Sequence, residues 1–357
     1  MARSRCSTAL GTAAGAAALL AFPLAASARE RDLPDPDRPV ASTALHQVHD
    51  TVFEGRAPRA ARVATAQAAE RTHFTAEGYG VEIESSPSYP PDPVADQALV
   101  DFLGSRLHGP ELDGLRVYVG TPDEIHRLCG GYPLAVACYA IGEGRMFVPG
   151  ESVHGIPVEY PLTHEYGHHV ASWRSNNPWD ALDWGAKHWA SAARVCTHVH
   201  DGLLFPGNQG AHYRDDPGEG FADGYAHLHY PDMPWYFNEL MRPGPIELEA
   251  IRRDVLDPWS APRSRTFRGR LGPRRGKRRF RIALRLDGDV RLRLSGPRGA
   301  TYTVEAETPG FAAGRRLRSG GAFGVEWCRL RPVERVTFTV RRRTGAGPFA
   351  LSVRWPG

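Results

Sequence analysis

Beyond its first 28 residues, this chain of 357 lacks any apolar run approaching the ~18 residues that a membrane helix needs. No integral membrane segment is therefore expected. Cysteine is scarce, with five in all, and no Cys-x-x-Cys pair occurs. A cysteine-built zinc site is thus the poorer reading of those residues. No recognised nucleic-acid-binding motif or aromatic stacking pattern accompanies the basic residues, which sets nucleic acid aside as a partner. What is present suits a soluble globular protein: 41% hydrophobic and 24% charged residues, on a length that holds one large domain or two ordinary ones.

Residues 1–28 read as a secretory signal peptide. Arg3 and Arg5 precede an apolar Ala/Leu run from Ala9 to Leu24, and Ala26-Ser27-Ala28 supplies an A-x-A cleavage pattern. The mature protein is expected to be secreted, either extracellular or associated with the cell surface. Cys6 lies in the charged leader and follows no lipobox, so no lipid anchor is expected. Cys129, Cys138, Cys196 and Cys328 remain, an even number that suggests disulfides in an exported protein. Cys129 and Cys138 bracket the turn-rich Gly130-Gly131-Tyr132-Pro133 and form the best local pair, which leaves Cys196 with Cys328. Four cysteines allow three connectivities, and two separate buried thiols at 196 and 328 stay open.

Residues 29–78 read as an N-terminal extension, a candidate propeptide. Its charged, proline-rich start at 29–40 suggests a flexible or extended leader, and 58–73 is Ala-rich with helix composition. From Tyr79 strands and helices alternate. Tyr79–Ser85 and Leu115–Val119 read as strands, and Asp92-Pro93 opens a helix through about Leu107, with Val94, Ala98, Leu99, Phe102 and Leu103 on one side. Thr121 and Glu124 form a capping box, and Ala135–Ile141 with Arg145–Val148 suggests a hairpin. Helices are expected over Pro161–Val170, from Asn177-Pro178 to about Val195, and last from Asp216-Pro217 to about Tyr230. Trp173, Trp179, Trp184 and Trp189 look like core of that helical half.

From Pro262 onward the pattern changes to short β runs separated by turns, at sandwich-like spacing. They are roughly Arg279–Leu286, Val290–Ser295, Thr301–Glu307, Ala322–Arg329, Arg335–Arg342 and Phe349–Trp355. Charge divides at the same place. Of the net +4, residues 263–357 carry +18 and the remainder −14. Opposite signs suggest two domains with different duties, over 79–260 and 262–357.

The most informative stretch is Pro161-Leu162-Thr163-His164-Glu165-Tyr166-Gly167-His168-His169-Val170. Residues four apart share a helix face, so His164 and His168 can both reach one zinc ion. Glu165 beside them can take a proton from a water activated there. A catalytic zinc needs a third protein ligand. The extended pattern His-Glu-x-x-His-x-x-Gly-x-x-His fails at Ala171 and Arg174, and no Gly-Thr-x-x-Asp follows. Glu219 and Asp223, one turn apart on a later helix, offer another arrangement. Glu219 could bind zinc while Asp223 reaches a ligand imidazole and orients it. The bland alternative makes Glu219 a capping carboxylate and Asp223 a solvated side chain. Tyr213, with His212 and Tyr225, lies close enough in sequence to Glu219 to donate to an oxyanion, Tyr213 first.

With His164-Glu165-x-x-His168 and Glu219-x-x-x-Asp223, residues 79–240 resemble the gluzincin clan of metallopeptidases, the relatives of thermolysin and neprilysin. The resemblance implies a zincin-like α+β domain in which His164, His168 and Glu219 bind Zn2+ and Glu165 is the general base. The upstream hairpin stands in the place of that clan's substrate-binding edge strand. Gly218, where an orienting polar residue would stand, and the long Trp-rich segment between the two helices set the chain apart as an unclassified branch. The C-terminal run ending Arg341-Arg342-Arg343 through Val353 is similar to the β-sandwich domains appended to secreted bacterial peptidases. The expectation is a secreted zinc endopeptidase acting on protein or peptide substrate, followed by an all-β sandwich whose charge could hold anionic cell-wall polymer. Two rivals stand beside it: a cell-surface binding protein with an inactive or structural zinc site, and a zinc hydrolase of non-peptide bonds.

Overall fold

Six short strands build the sheet of the first half. In chain order they are β1 (Val52–Phe53), β2 (Ala69–Phe74), β3 (Gly80–Ser85), β4 (Leu115–Gly120), β5 (Cys138–Ala140) and β6 (Arg145–Pro149). The computed structural model describes residues 29–40, 51–53, 58–131, 135–309 and 311–357, so the expected signal peptide lies outside the described residues. Across the sheet the order is β1-β5-β6-β4-β3-β2. β4 pairs in parallel with both β3 and β6, whereas β5 runs antiparallel to β6 and β2 antiparallel to β3. The central β4 and β6 are buried on both faces, which is why they read as nearly unbroken apolar runs.

Nine helices accompany this sheet among the described residues: α1 (Arg59–Gln67), α2 (Pro93–Ser105), α3 (Pro122–Leu128), α4 (Glu159–Ser172), α5 (Ala181–Trp184), α6 (Lys187–Ala192), α7 (Val195–His200), α8 (Pro217–His229) and α9 (Pro245–Leu256). Local chemistry sets several starts. Asp92 accepts from the Val94 and Ala95 amides at α2, and Thr121 and Glu124 make both capping-box bonds at α3. Other boundaries answer to tertiary structure. The helix expected over 58–73 stops at Gln67, and Ala69–Phe74 instead completes the sheet beside β3. An open strand edge outweighs alanine's helix propensity there. The helix expected from Pro178 to Val195 is three short pieces, because Gly185 (φ 73°) and Arg194 (φ 55°) leave the helical region. α9 has no counterpart among the sequence expectations, although Pro245 and the Glu247 carboxylate, which accepts from the Gly244 amide, mark its start.

Two burial expectations also change. Val94 is exposed on α2, and Trp173 is 59% exposed while Trp189 is fully buried. The leader at 29–40 is extended but pinned: Arg31 bonds Asp96 at 2.7 Å, and the Asp35 amide donates to Glu159 at 2.7 Å. Burying Asp96 and Glu159 required cationic or amide partners, and the leader supplies them.

The second half is all β: β7 (Arg263–Leu271), β8 (Lys277–Leu284), β9 (Gly288–Ser295), β10 (Thr301–Thr308), β11 (Phe311–Arg318), β12 (Ala322–Trp327), β13 (Glu334–Thr344) and β14 (Gly347–Trp355). They form two four-stranded antiparallel sheets, β11-β10-β13-β8 and β12-β9-β14-β7, whose inward side chains share one apolar cluster. β7 and β11 were not expected. Both are edge strands, where arginines can occupy positions that a central strand would keep apolar.

Both expected disulfides are present, Cys129–Cys138 and Cys196–Cys328. The second ties the halves together beside a buried polar joint. There Lys187 Nζ donates to the carbonyls of Asn176 (3.2 Å), Asn177 (2.7 Å) and Asp287 (2.9 Å). The indoles of Trp179 and Trp259 each lie 5.1 Å from it. Burial pulls the Lys187 ammonium from its ordinary 10.5 down to about 7, against the pull of Asp287 and Asp254. The unfolded chain therefore binds a proton that the folded chain lacks between those values, so this group makes stability rise with pH across that window. The gap corresponds to at most ~5 kcal/mol. Denaturant unfolding at pH 7 and pH 10 should show the rise, and Lys187→Met should remove it. Equal pH slopes in the two proteins would contradict the assignment.

Candidate metal centre

α4 and α8 cross at close range where Gly167 makes room for Ala222, and Gly218 on α8 makes room in the same way for α5. A Cβ on Gly167 would lie 2.8 Å from Ala222 Cα and 3.0 Å from its carbonyl oxygen. A Cβ on Gly218 would lie 2.2 Å from the Leu182 carbonyl oxygen. No side chain fits at 218, which explains physically why the residue before Glu219 is glycine. Asp216 caps α8 by accepting from the Gly218 amide, and Pro217 takes the first helical position.

The crossing brings His164 and His168 of α4 against Glu219 in the first turn of α8. Glu219 Oε2 lies 3.4 Å from His164 Nε2 and 3.4 Å from His168 Nε2. One donor atom from each residue falls within 4.8 Å of the others, and all three residues are buried. Glu219 Oε1 accepts from Gln209 Nε2 at 2.8 Å, while Oε2 accepts no hydrogen bond among the described residues. A tetrahedral ion held at ~2.1 Å by nitrogen and oxygen donors has ligand–ligand edges of ~3.4 Å. These residues could hold a metal ion, and the donor set fits one.

Two buried carboxyl groups meet at this corner. Burial, then the neighbouring Glu219 carboxylate, pushes Asp216 up to about 8. Gln209 donates to both carboxylates, at 2.8 Å to Glu219 and 3.2 Å to Asp216. Gln209 was invisible to sequence reasoning because it sits in a loop with no periodic or capping signal. Its Oε1 also accepts from the Val52 amide at 3.4 Å.

Asp223 Oδ1 is 3.6 Å from His164 Nδ1 and accepts a 2.9 Å hydrogen bond from the Tyr160 hydroxyl. Tyr160, one turn before His164 on α4, thus sets the carboxylate that faces the imidazole. It too was missed, although its i,i+4 spacing to His164 was readable. Glu165 is fully buried on the same helix. Burial raises the Tyr139 phenol to about 12, and the Glu165 charge adds to that rise.

No family model matches the chain, and no curated protein matches it. A mitogen from Yersinia pseudotuberculosis has a similar solved structure over 26% of this chain and 86% of that chain, at 13% identity and a TM-score of 0.22. That level of likeness carries no argument about fold or activity.

The other aromatic candidates separate by position. Tyr213 is buried, with its ring 5.5 Å from Phe237, whose ring stacks 6.4 Å from His164. Tyr225 turns away and donates its hydroxyl to the Leu107 carbonyl. His212 stacks on Phe205 at 3.8 Å and contacts Asp215. His169 is structural. Its Nε2 donates to the Glu111 carbonyl at 2.7 Å, its Nδ1 accepts from Tyr139, and burial lowers it to about 4, so it stays neutral. The hairpin strand β5 is not a bare sheet edge, because β1 pairs with it in parallel. A third acidic group, Glu70, Glu82 and Glu84, is matched by Arg116 and Arg145 and needs no ion.

Proposed function

We propose that the protein is a zinc-dependent hydrolase of peptide bonds, exported and built on a zincin-like domain. The observation that carries the reading is the single carboxylate oxygen of Glu219 lying 3.4 Å from both imidazole Nε2 atoms. Two neutral imidazoles and a carboxylate are a donor set suited to zinc, with a fourth position left for water or substrate. Bound there, the ion would supply Lewis acidity, polarising a carbonyl and making water a stronger acid.

The chain's own residues do the rest. His164, His168 and Glu219 hold the ion, and Gln209 fixes the Glu219 head group. Asp223 faces His164 Nδ1 and favours the tautomer that leaves Nε2 free to ligate. Glu165 takes the proton of the attacking water and delivers it to the leaving amine nitrogen. Tyr213 is the proposed donor to the developing oxyanion. The two disulfides and the lack of any membrane-length apolar helix among the described residues are compatible with export.

Burial of all three donors favours one second reading, a closed structural ion in a surface-binding protein. Metal analysis of the mature protein, coupled to cleavage of a peptide library, separates them. The proposal expects one zinc per chain and turnover that ends on chelation and returns with zinc. Zinc without turnover favours the structural reading, and turnover only of non-peptide substrates reassigns the bond.

The basic half is proposed to hold anionic cell-wall polymer. A concavity of about 420 Å³ on the outer face of β12-β9-β14-β7 is lined by Arg265, Arg291, Arg293 and Arg354. Arg291 lies directly opposite Arg354, and Asp289, 2.7 Å from Arg291, offsets part of that like-charge pairing. Its binding should weaken steeply with salt.

A further inference from the structure

A second set of donors sits at the joint between the two halves, outside the proposed catalytic machinery. Cys196 and His200 lie four residues apart on α7, so they share a helix face. Glu326 at the end of β12 and Cys328 are two apart, the spacing that places side chains on one side of extended chain. One donor atom from each of the four falls within 4.8 Å of the others. His200 Nε2 is already 2.9 Å from Glu326 Oε1, while the two sulfurs are joined in the disulfide.

We propose that, before this disulfide forms, the dithiol state binds one divalent zinc-like cation through Cys196, His200, Glu326 and Cys328. Two thiolates, an imidazole and a carboxylate select a borderline-soft ion over magnesium or calcium. Binding releases the two thiol protons and changes no oxidation state. The S–S bond then forms by exchange with an oxidised disulfide. That disulfide takes up two electrons, gains two protons from solvent to become two thiols, and the ion departs.

The elements that carry the four donors are held together by contacts other than the S–S bond. Arg329 bonds the Asp287 carboxylate at 2.8 Å and the Ser191 carbonyl at 2.6 Å. The Asp287 amide donates to Ser191 Oγ at 3.0 Å, and Thr197 Oγ1 to the Arg329 carbonyl at 3.3 Å. These bonds hold α6 and α7 against the end of β12 whatever the state of the sulfurs. The His200 and Glu326 side chains are 62% and 41% exposed, which gives an ion a path in and allows either to be replaced without disturbing a core.

The full-length protein, reduced with a trialkylphosphine and kept free of oxygen, is titrated with cobalt(II) as the probe. A near-ultraviolet thiolate-to-cobalt band should appear, saturate at one bound cobalt beyond any held at the His164 centre and be absent from the oxidised protein. The His164, His168 and Glu219 centre contains no sulfur and cannot produce it. Loss of the band in a Cys196→Ser, Cys328→Ser variant excludes the Cys129 and Cys138 thiols, which reduction also frees, as its source. His200→Ala and Glu326→Ala should each weaken cobalt binding by ~10-fold or more. The proposal is overturned by a reduced protein that gives no band, or by unchanged affinity in both the His200→Ala and the Glu326→Ala variants. Loss of the folded near-ultraviolet circular dichroism on reduction also overturns it, because the joint would then not hold the donors together.

Discussion

Glu165→Gln should lower peptide turnover by ~10²–10⁴-fold while the metal content stays unchanged. The substitution keeps the size of the side chain but removes its capacity to accept a proton. Glu165 is fully buried on α4 directly beside His164, yet it is not one of the three residues whose donor atoms cluster. In the proposed mechanism, holding the ion and moving the proton are therefore separable duties. The check is kcat on a cleaved peptide alongside elemental analysis of the same preparation. Undiminished turnover would sink the proton-transfer role, and coincident loss of metal would move Glu165 into the binding set.

Gly167→Ala should have the next largest effect, a stability loss of ~1–3 kcal/mol together with weaker metal binding. The added methyl meets backbone, Ala222 Cα at 2.8 Å, and backbone cannot rotate aside. Relief requires α8 to move away from α4, and that motion carries Glu219 from the two imidazoles. Gly220→Ala is the internal comparison. Its methyl would meet Met241 Sδ at 2.6 Å, the far end of a flexible side chain that can swing away. Thermal unfolding and zinc affinity, measured for both variants, should rank Gly167→Ala as the more damaging. Equal effects would mean that helix propensity, and not the interhelical distance, governs these positions.

Much of the local structure was readable because the interactions that set it span only a few residues. The caps at Asp92, Thr121 and Asp216 act within one helical turn, and His164 and His168 share a face by helix geometry alone. Elements were misread where a distant partner decided them. Ala69–Phe74 pairs with β3 against its neighbours' helix composition, and arginine-rich β7 and β11 are strands because an edge accepts them. Gln209 and Tyr160 were missed for a related reason. Each acts through another side chain, and only its contact in space reveals it.

By itself the sequence determined which groups could do chemistry: two imidazoles at i,i+4, a carboxylate between them, and a Glu-x-x-x-Asp pair on a capped helix. It equally determined the change from mixed α/β to arginine-rich β structure near residue 262. Only the tertiary structure decided that one Glu219 oxygen stands 3.4 Å from both imidazoles. It also decided that the joint between the halves gathers four more donors. The physical reason is range. Helix geometry and capping are short-range and repeat every few residues, whereas a site built across α4 and α8 depends on how closely two backbones approach. That distance was set by the missing side chain of Gly167, and it is legible only once its neighbour Ala222 is known.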